Sequence, residues 1–215
     1  IVNTTTNSIN LYIIDFTEMI MAIESTTDLI LILLYSPGIT RKNNEPIRGN
    51  TRLQKLLFLL GKEGNMEKEI DNFFDYKAYK FGPHSSDLYD EIELLKSIGL
   101  IEVKKRKYSL KTDLDEEKDF LDNQNINLSQ EDEFFLTNLN YSTKDAEINE
   151  YVLTEVGCMI AEKLFNQLRD DEKRKIINIK NLYGSMSYIE LLKYVYSKYP
   201  ELTTNSEIKD ILGVS

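Results

Sequence analysis

Apolar residues recur along this chain with two periods, one helical and one extended, and their alternation lays out its elements. Leu29 to Tyr35 is apolar nearly all round, the mark of a helix buried on every side. Thr26, Thr27 and Asp28 offer capping oxygens at its start, and Pro37 and Gly38 end it. A polar, basic loop is expected over 39–50. Leu53, Leu56, Leu57 and Leu60 then mark the inner face of a second helix over 51–63. Arg52 and Lys55 are expected elsewhere on its surface. A charged connection follows at 65–72, long enough for one more helical turn.

The most informative stretch is 73–101. Phe73, Tyr76 and Tyr79 are strand-forming aromatics. Gly82 and Pro83 are expected to stop that strand, with Pro83 suited to the first turn of a helix. Ser85, Ser86 and Asp87 supply N-terminal oxygens. Leu88, Ile92, Leu95 and Ile98 recur at helical spacing, with Tyr89 and Leu94 widening the stripe. Gly99 can take the left-handed conformation that closes a helix. Leu100, Ile101 and Val103 open a strand, Lys104 to Lys107 read as a basic turn, and Tyr108 and Leu110 begin a return strand. Helix, strand and basic turn in this order match the third helix of a winged-helix domain entering its wing.

Residues 112–147 interrupt that wing as an acidic insertion, whose strongest apolar cluster is Phe134, Phe135 and Leu136. Amide exchange is expected to be fast over 112–135, because few apolar anchors accompany its charge. The pattern resumes with a short strand at Tyr151, Val152 and Leu153. A helix follows with Ile160, Leu164 and Leu168 on one face. Further helices are expected over 171–182 and 187–199. The second of these carries Leu191, Leu192, Val195 and Tyr199 on one face, more apolar surface than one core easily covers. That face, with the helix at 158–168, is expected to form an isologous dimer interface. Thr204 and Glu207 have capping-box spacing before a last turn ending at Gly213. At the other end, Leu11 to Ile14, Phe16 and Met19 to Met21 form an apolar run broken by Asp15 and Glu18. It is too short to span a bilayer and lacks the basic start of a signal peptide. Residues 1–24 read as a docking arm, or as a leader ahead of a start at Met19 or Met21.

Charge changes this picture. The net charge of −10 disfavours general nucleic-acid binding, but it is concentrated. Residues 112–135 hold nine acids against the single base Lys118, a net of −8. Residues 41–55 carry five bases against Glu45, and 101–111 carry five against Glu102, each a net of +4. If the chain binds double-stranded DNA, the contacts are expected from the loop and the wing: Arg41, Lys42, Arg48, Arg52, Lys104, Lys105, Arg106 and Lys107. The helix at 87–98 opposes this, carrying Asp87, Asp90, Glu91 and Glu93 against Lys96 alone.

Candidate chemistry is sparse. His84, Ser85, Ser86 and Asp87 invite a hydrolase reading, but neighbours at a helix start point apart, and a triad needs convergence. Cys158 has no Cys-x-x-Cys partner and reads as a buried structural thiol. It stands 74 residues from the single histidine, too isolated for a Cys/His zinc site. A single cysteine fits a reducing, cytoplasmic compartment. No phosphate loop, dinucleotide fingerprint or zinc-protease motif is present. The expectation is a non-enzymatic protein with no cofactor or metal.

Two stretches carry a family resemblance. "EYVLTEVGCMIAEKL" resembles the Y-x-L-T-x-x-G-x-x-x-A ending of winged-helix regulators of the MarR and PadR type, which implies that Thr154 caps its helix and Gly157 permits close packing. "RLQKLLFLL" together with "YKFGPHSSDLYDEIELLKSIGLI" is similar to YwgA-type proteins and, more distantly, to the Panacea antitoxin domain. The expected fold is mainly α with a small β wing (α+β): a winged helix over 25–168 with a helical extension over 169–215. The expected function is a DNA-associated regulator or adaptor, acting as a homodimer. The alternative is a protein-interaction module, such as an antitoxin-like or defence-complex subunit, with a protein partner and no membrane.

Overall fold

The computed structural model describes residues 23–68, 73–108, 146–206 and 208–214. It is a mixed fold of helices and a small antiparallel sheet. Helix α1 (Thr26–Tyr35) is the centre of the core, with Leu29 to Leu34 all inaccessible to solvent. Its cap is Ser25, one residue earlier than expected. The Ser25 hydroxyl accepts from the Asp28 amide at 3.1 Å while the Asp28 carboxylate accepts from the Ser25 amide at 3.1 Å, a reciprocal capping box.

Strand β1 (Ile47–Arg48) leads into α2 (Asn50–Lys62), which buries Leu53, Leu56, Leu57 and Leu60 as the spacing predicts. A 3₁₀ turn at Met66–Lys68 follows. The next stretch corrects the expected strand stop. Lys77–Tyr79 (β2) and Gly82–His84 (β3) form a tight antiparallel hairpin, with Ala78 opposite Pro83. Gly82 and Pro83 are thus part of the second strand. Proline is tolerated because a two-stranded ribbon leaves one side of β3 without a ladder to feed. Gly82 has φ 79°, and a Cβ there would lie 2.8 Å from the Tyr196 ring, so the hairpin needs its glycine.

Helix α3 (Asp87–Ser97) follows. Its first residues make no side-chain cap, contrary to expectation. Gln54 of α2 organises the approach instead. Its Nε2 donates to the Ser85 carbonyl at 2.8 Å and its Oε1 accepts from the Ser85 amide at 3.2 Å. Leu88, Ile92 and Leu95 are buried, but Leu94 and Ile98 face solvent, so the buried stripe is narrower than its sequence suggests. Gly99 closes the helix at φ 75°.

Strand β4 (Ile101–Tyr108) pairs antiparallel with β5 (Ala146–Leu153), from Ile101 opposite Leu153 to Tyr108 opposite Ala146. β1 joins the far side of β5, giving the order β1-β5-β4. Lys104 to Lys107 therefore lie within a strand, not at a turn: the extended ladder continues through them because β5 supplies a partner at every step. The return strand is 146–153 rather than one beginning at Tyr108, and Ala146 and Glu147, taken as insertion, belong to it. The arm at 1–22, Leu110 and the acidic stretch 112–145 lie outside the described residues.

Helix α4 (Glu155–Gln167) packs chiefly on α1. The Thr154 hydroxyl accepts from the Gly157 amide at 3.0 Å and donates to the Gly99 carbonyl at 2.7 Å. A Cβ on Gly157 would meet the Leu100 carbonyl oxygen at 1.8 Å. The cap at Thr154 and the close approach at Gly157 are as the resemblance implies. Ile160, expected inward, is exposed; the buried face runs through Gly157, Ala161 and Leu168.

Helices α5 (Asp170–Gly184), α6 (Tyr188–Lys198) and α7 (Lys209–Leu212) complete the chain. They share the core: Ile176, Ile179, Tyr183, Leu191 and Val195 join the same apolar cluster as α1 and α2. This corrects the expected dimer interface. Leu191, Leu192 and Val195 are covered within the single chain, and Tyr199 packs edge-on against Phe58 at 4.8 Å. Glu207 of the expected capping box lies outside the described residues. The N-cap of the final helix is Ile208, whose amide donates to the Ser206 hydroxyl at 3.1 Å, while Gly213 ends it at φ 63°. Among the described residues no helix is long and apolar enough to cross a membrane.

Candidate functional site

The eight basic residues expected at a nucleic-acid surface meet different fates. Arg41 and Lys42 are exposed on the loop after α1. Arg48 lies on β1 and is ion-paired, its Nε 2.8 Å from Glu150. Arg52 is half-buried and tied to the end of α5. One of its guanidinium nitrogens donates to the carbonyls of Gly184 at 3.1 Å and Met186 at 2.8 Å, neutralising the carbonyl end of α5. Lys104 pairs with Glu102 at 3.2 Å on its own strand, and Lys105 is exposed. The register sets Arg106 opposite Ile148 and Lys107 opposite Glu147.

Arg48 on β1 and the basic run on β4 are brought to one sheet, since β1 and β4 flank β5. They do not form one unopposed basic face, because Glu102 and Glu150 lie among them. The run on β4 also has a reading that needs no ligand. Among the described residues β4 is an edge strand, and edge lysines deter unwanted strand pairing.

Helix α3 presents the opposite chemistry. Its buried residues occupy one side, and Asp87, Asp90, Glu93, Leu94, Lys96, Ser97 and Ile98 are exposed. Leu94 is 49% exposed and Ile98 56%. Glu91 is turned to α1, where it accepts from the hydroxyls of Thr26 and Thr27. Lys96 is held by Glu93 at 2.7 Å. Outward, the helix carries three acids against one base, so that surface is acidic beside Leu94 and Ile98. The Thr154–Gly99 bond joins the end of α3 to the start of α4, where Val156 is also exposed.

The candidate hydrolase residues do not converge. The His84 ring lies between those of Tyr79 at 4.7 Å and Tyr89 at 5.6 Å. Partial burial and the charge of Lys55 lower its pKa. The Ser85 hydroxyl is buried and has no hydrogen-bond partner, so nothing activates it. Cys158 is half-buried, and burial together with Glu162 pushes its thiol pKa up, away from a reactive thiolate. Among the described residues no cluster of three or more His, Cys, Asp or Glu is placed to hold a metal.

Three polar arrangements lie beyond the sequence reading. Lys55, expected on the surface, is 2% exposed and donates to the Pro83 carbonyl at 2.7 Å, tying the hairpin to α2. Lys180 is also buried and donates to the carbonyls of Leu34 at 2.9 Å, Ser36 at 2.7 Å and Glu45 at 3.2 Å. Burial lowers both amines to about 7. Glu63, at the end of α2, accepts from the hydroxyls of Tyr183, Tyr194 at 2.7 Å and Tyr199 at 3.2 Å, and pairs with Lys198 at 3.0 Å. Burial works to raise its pKa, but those donors outweigh it and hold the carboxyl below its ordinary range. All three are structural ties between distant segments, and no local motif announces them. Compared with protein-family models, with curated proteins and with solved structures, the chain matches none.

Proposed function

We propose that this chain is a winged-helix protein whose helix α3 docks another protein, as an adaptor or antitoxin-like subunit does. The element order supports the scaffold. A helix, a short strand, a second helix, the β2–β3 hairpin, a third helix and two long strands follow in sequence, and the short strand pairs on the returning one. Helix α3 then stands where a DNA reader would place its recognition helix. The observation that carries the reading is the outward face of that helix: Asp87, Asp90 and Glu93 around Leu94 and Ile98. Such a face repels phosphate and offers the apolar centre and polar rim of a protein interface.

A DNA-associated regulator is the second reading. It is favoured by Arg41, Lys42 and Lys105, which stay exposed. Duplex retention across a salt series separates the two. The docking reading expects no retention at moderate ionic strength. A steep salt slope, reduced when Lys104 and Lys105 are changed to alanine, would reverse the choice.

A further inference from the structure

We infer that the partner presents a cationic amphipathic helix to the outward face of α3; the inference rests on the docking reading above. Two features of that face set the partner's chemistry. The first is shape and apolarity. Leu94 and Ile98 stand four residues apart, one above the other on the helix surface, and both are half-exposed. A pair at this spacing is met by apolar residues at matching spacing on a second helix laid along it.

The second feature is charge. Glu93 precedes Leu94, Asp90 lies one turn before it and Asp87 a further turn away, all exposed. Lys77 acts electrostatically on Asp87, and Glu93 holds Lys96, so the negative charge of the face is only partly offset. An acidic partner or a phosphate backbone would meet net repulsion here. A partner with lysine or arginine flanking an apolar stripe would meet opposite charge on its rim, which favours encounter and register. The face is built on a regular helix whose opposite side is locked by Leu88, Ile92 and Leu95 in the core. It is therefore preformed, and docking needs no ordering of the receptor.

The test uses the full chain and two synthetic helical peptides with the same apolar spacing, one bearing lysines and one bearing glutamates. Fluorescence anisotropy reads the affinity of each. The lysine peptide is expected to bind and the glutamate peptide is not. Asp87→Asn with Asp90→Asn should weaken the lysine peptide by about tenfold, as the loss of charge complementarity implies. Leu94→Ser with Ile98→Ser should abolish binding, while circular dichroism and melting show the fold retained.

The acidic residues of 112–135 give a control, because they too attract a cationic peptide. Binding that survives both α3 variants but disappears when those acids are neutralised overturns the inference. Equal binding of both peptides, lost in the Leu94/Ile98 variant, also overturns it, yet leaves the docking reading standing with an uncharged partner. Binding of neither peptide, together with salt-dependent duplex binding, removes both the inference and the docking reading.

Discussion

Lys180 shows how one residue can be unremarkable in sequence and central in space. In the run "KIINIKNLYG" it looks like a surface charge between apolar positions. It is instead buried, with its amine on three carbonyls contributed by segments 135 to 146 residues away. Leu34 and Ser36 lie at the end of α1, so the amine serves as that helix's C-terminal cap. Its partners are remote in the chain, which is why periodicity could not reveal it. Lys180→Met keeps the volume and removes the donors. The loss should be about 2–4 kcal/mol, because buried carbonyls are left unmet, and denaturant unfolding reads it directly. Thr154 and Gly157 are the contrasting case. Cap and close approach depend on neighbours within three residues and on one strand end, so their roles are legible from a short motif.

At the scale of elements, legibility followed the number of faces an element buries. α1 is covered all round and α2 shows a full stripe, and both lie where their leucines place them. The hairpin β2–β3 was hidden because a Gly-Pro pair reads as a stop unless a ribbon partner is known. The basic strand β4 was read as a turn because local charge carries no information on pairing. Helix α6 departs from its sequence pattern for a different reason. Its apolar face looked surplus to one core, but α2 on one side and the chain's last segment on the other cover it. Leu192 is 0% exposed. Leu192→Asp should therefore abolish the cooperative melt, since a buried, unpaired charge costs several kcal/mol. A folded monomer released from a dimer would instead restore the interface expectation. Any two-fold pairing of the chain has to use other residues.

For the whole molecule, the buried ionisable groups predict a stability profile with an alkaline optimum. Lys55 and Lys180 have folded pKa values near 7, well below an ordinary lysine. Between about pH 7 and 10.4 the unfolded chain holds protons that the folded chain has released, so stability rises with pH over that window. Below it, both states are protonated and the full penalty of the buried charges applies. The phenols act in the other direction. Burial raises Tyr151 to about 12, and Tyr76, Tyr183 and Tyr199 are raised as well. Above about pH 10 the unfolded tyrosines ionise first, and stability falls. Glu63 adds an acid limb: its lowered pKa stabilises the fold above the ordinary carboxyl range and is lost as pH falls through the folded value. Melting temperature across pH should peak at about 9–10. A plateau centred near pH 6 would show that the two lysines are not buried as described.

Which surface of the molecule a proposed partner would meet is answered in one experiment by amide chemical-shift mapping. The labelled chain is titrated separately with a short duplex and with the lysine-bearing amphipathic peptide. The account predicts that the peptide shifts the amides from Asp87 to Gly99, with Val156 beside them, and that the duplex leaves them still. Shifts produced by the duplex along the loop at 41–48 and strand β4, with α3 unmoved by the peptide, would contradict it.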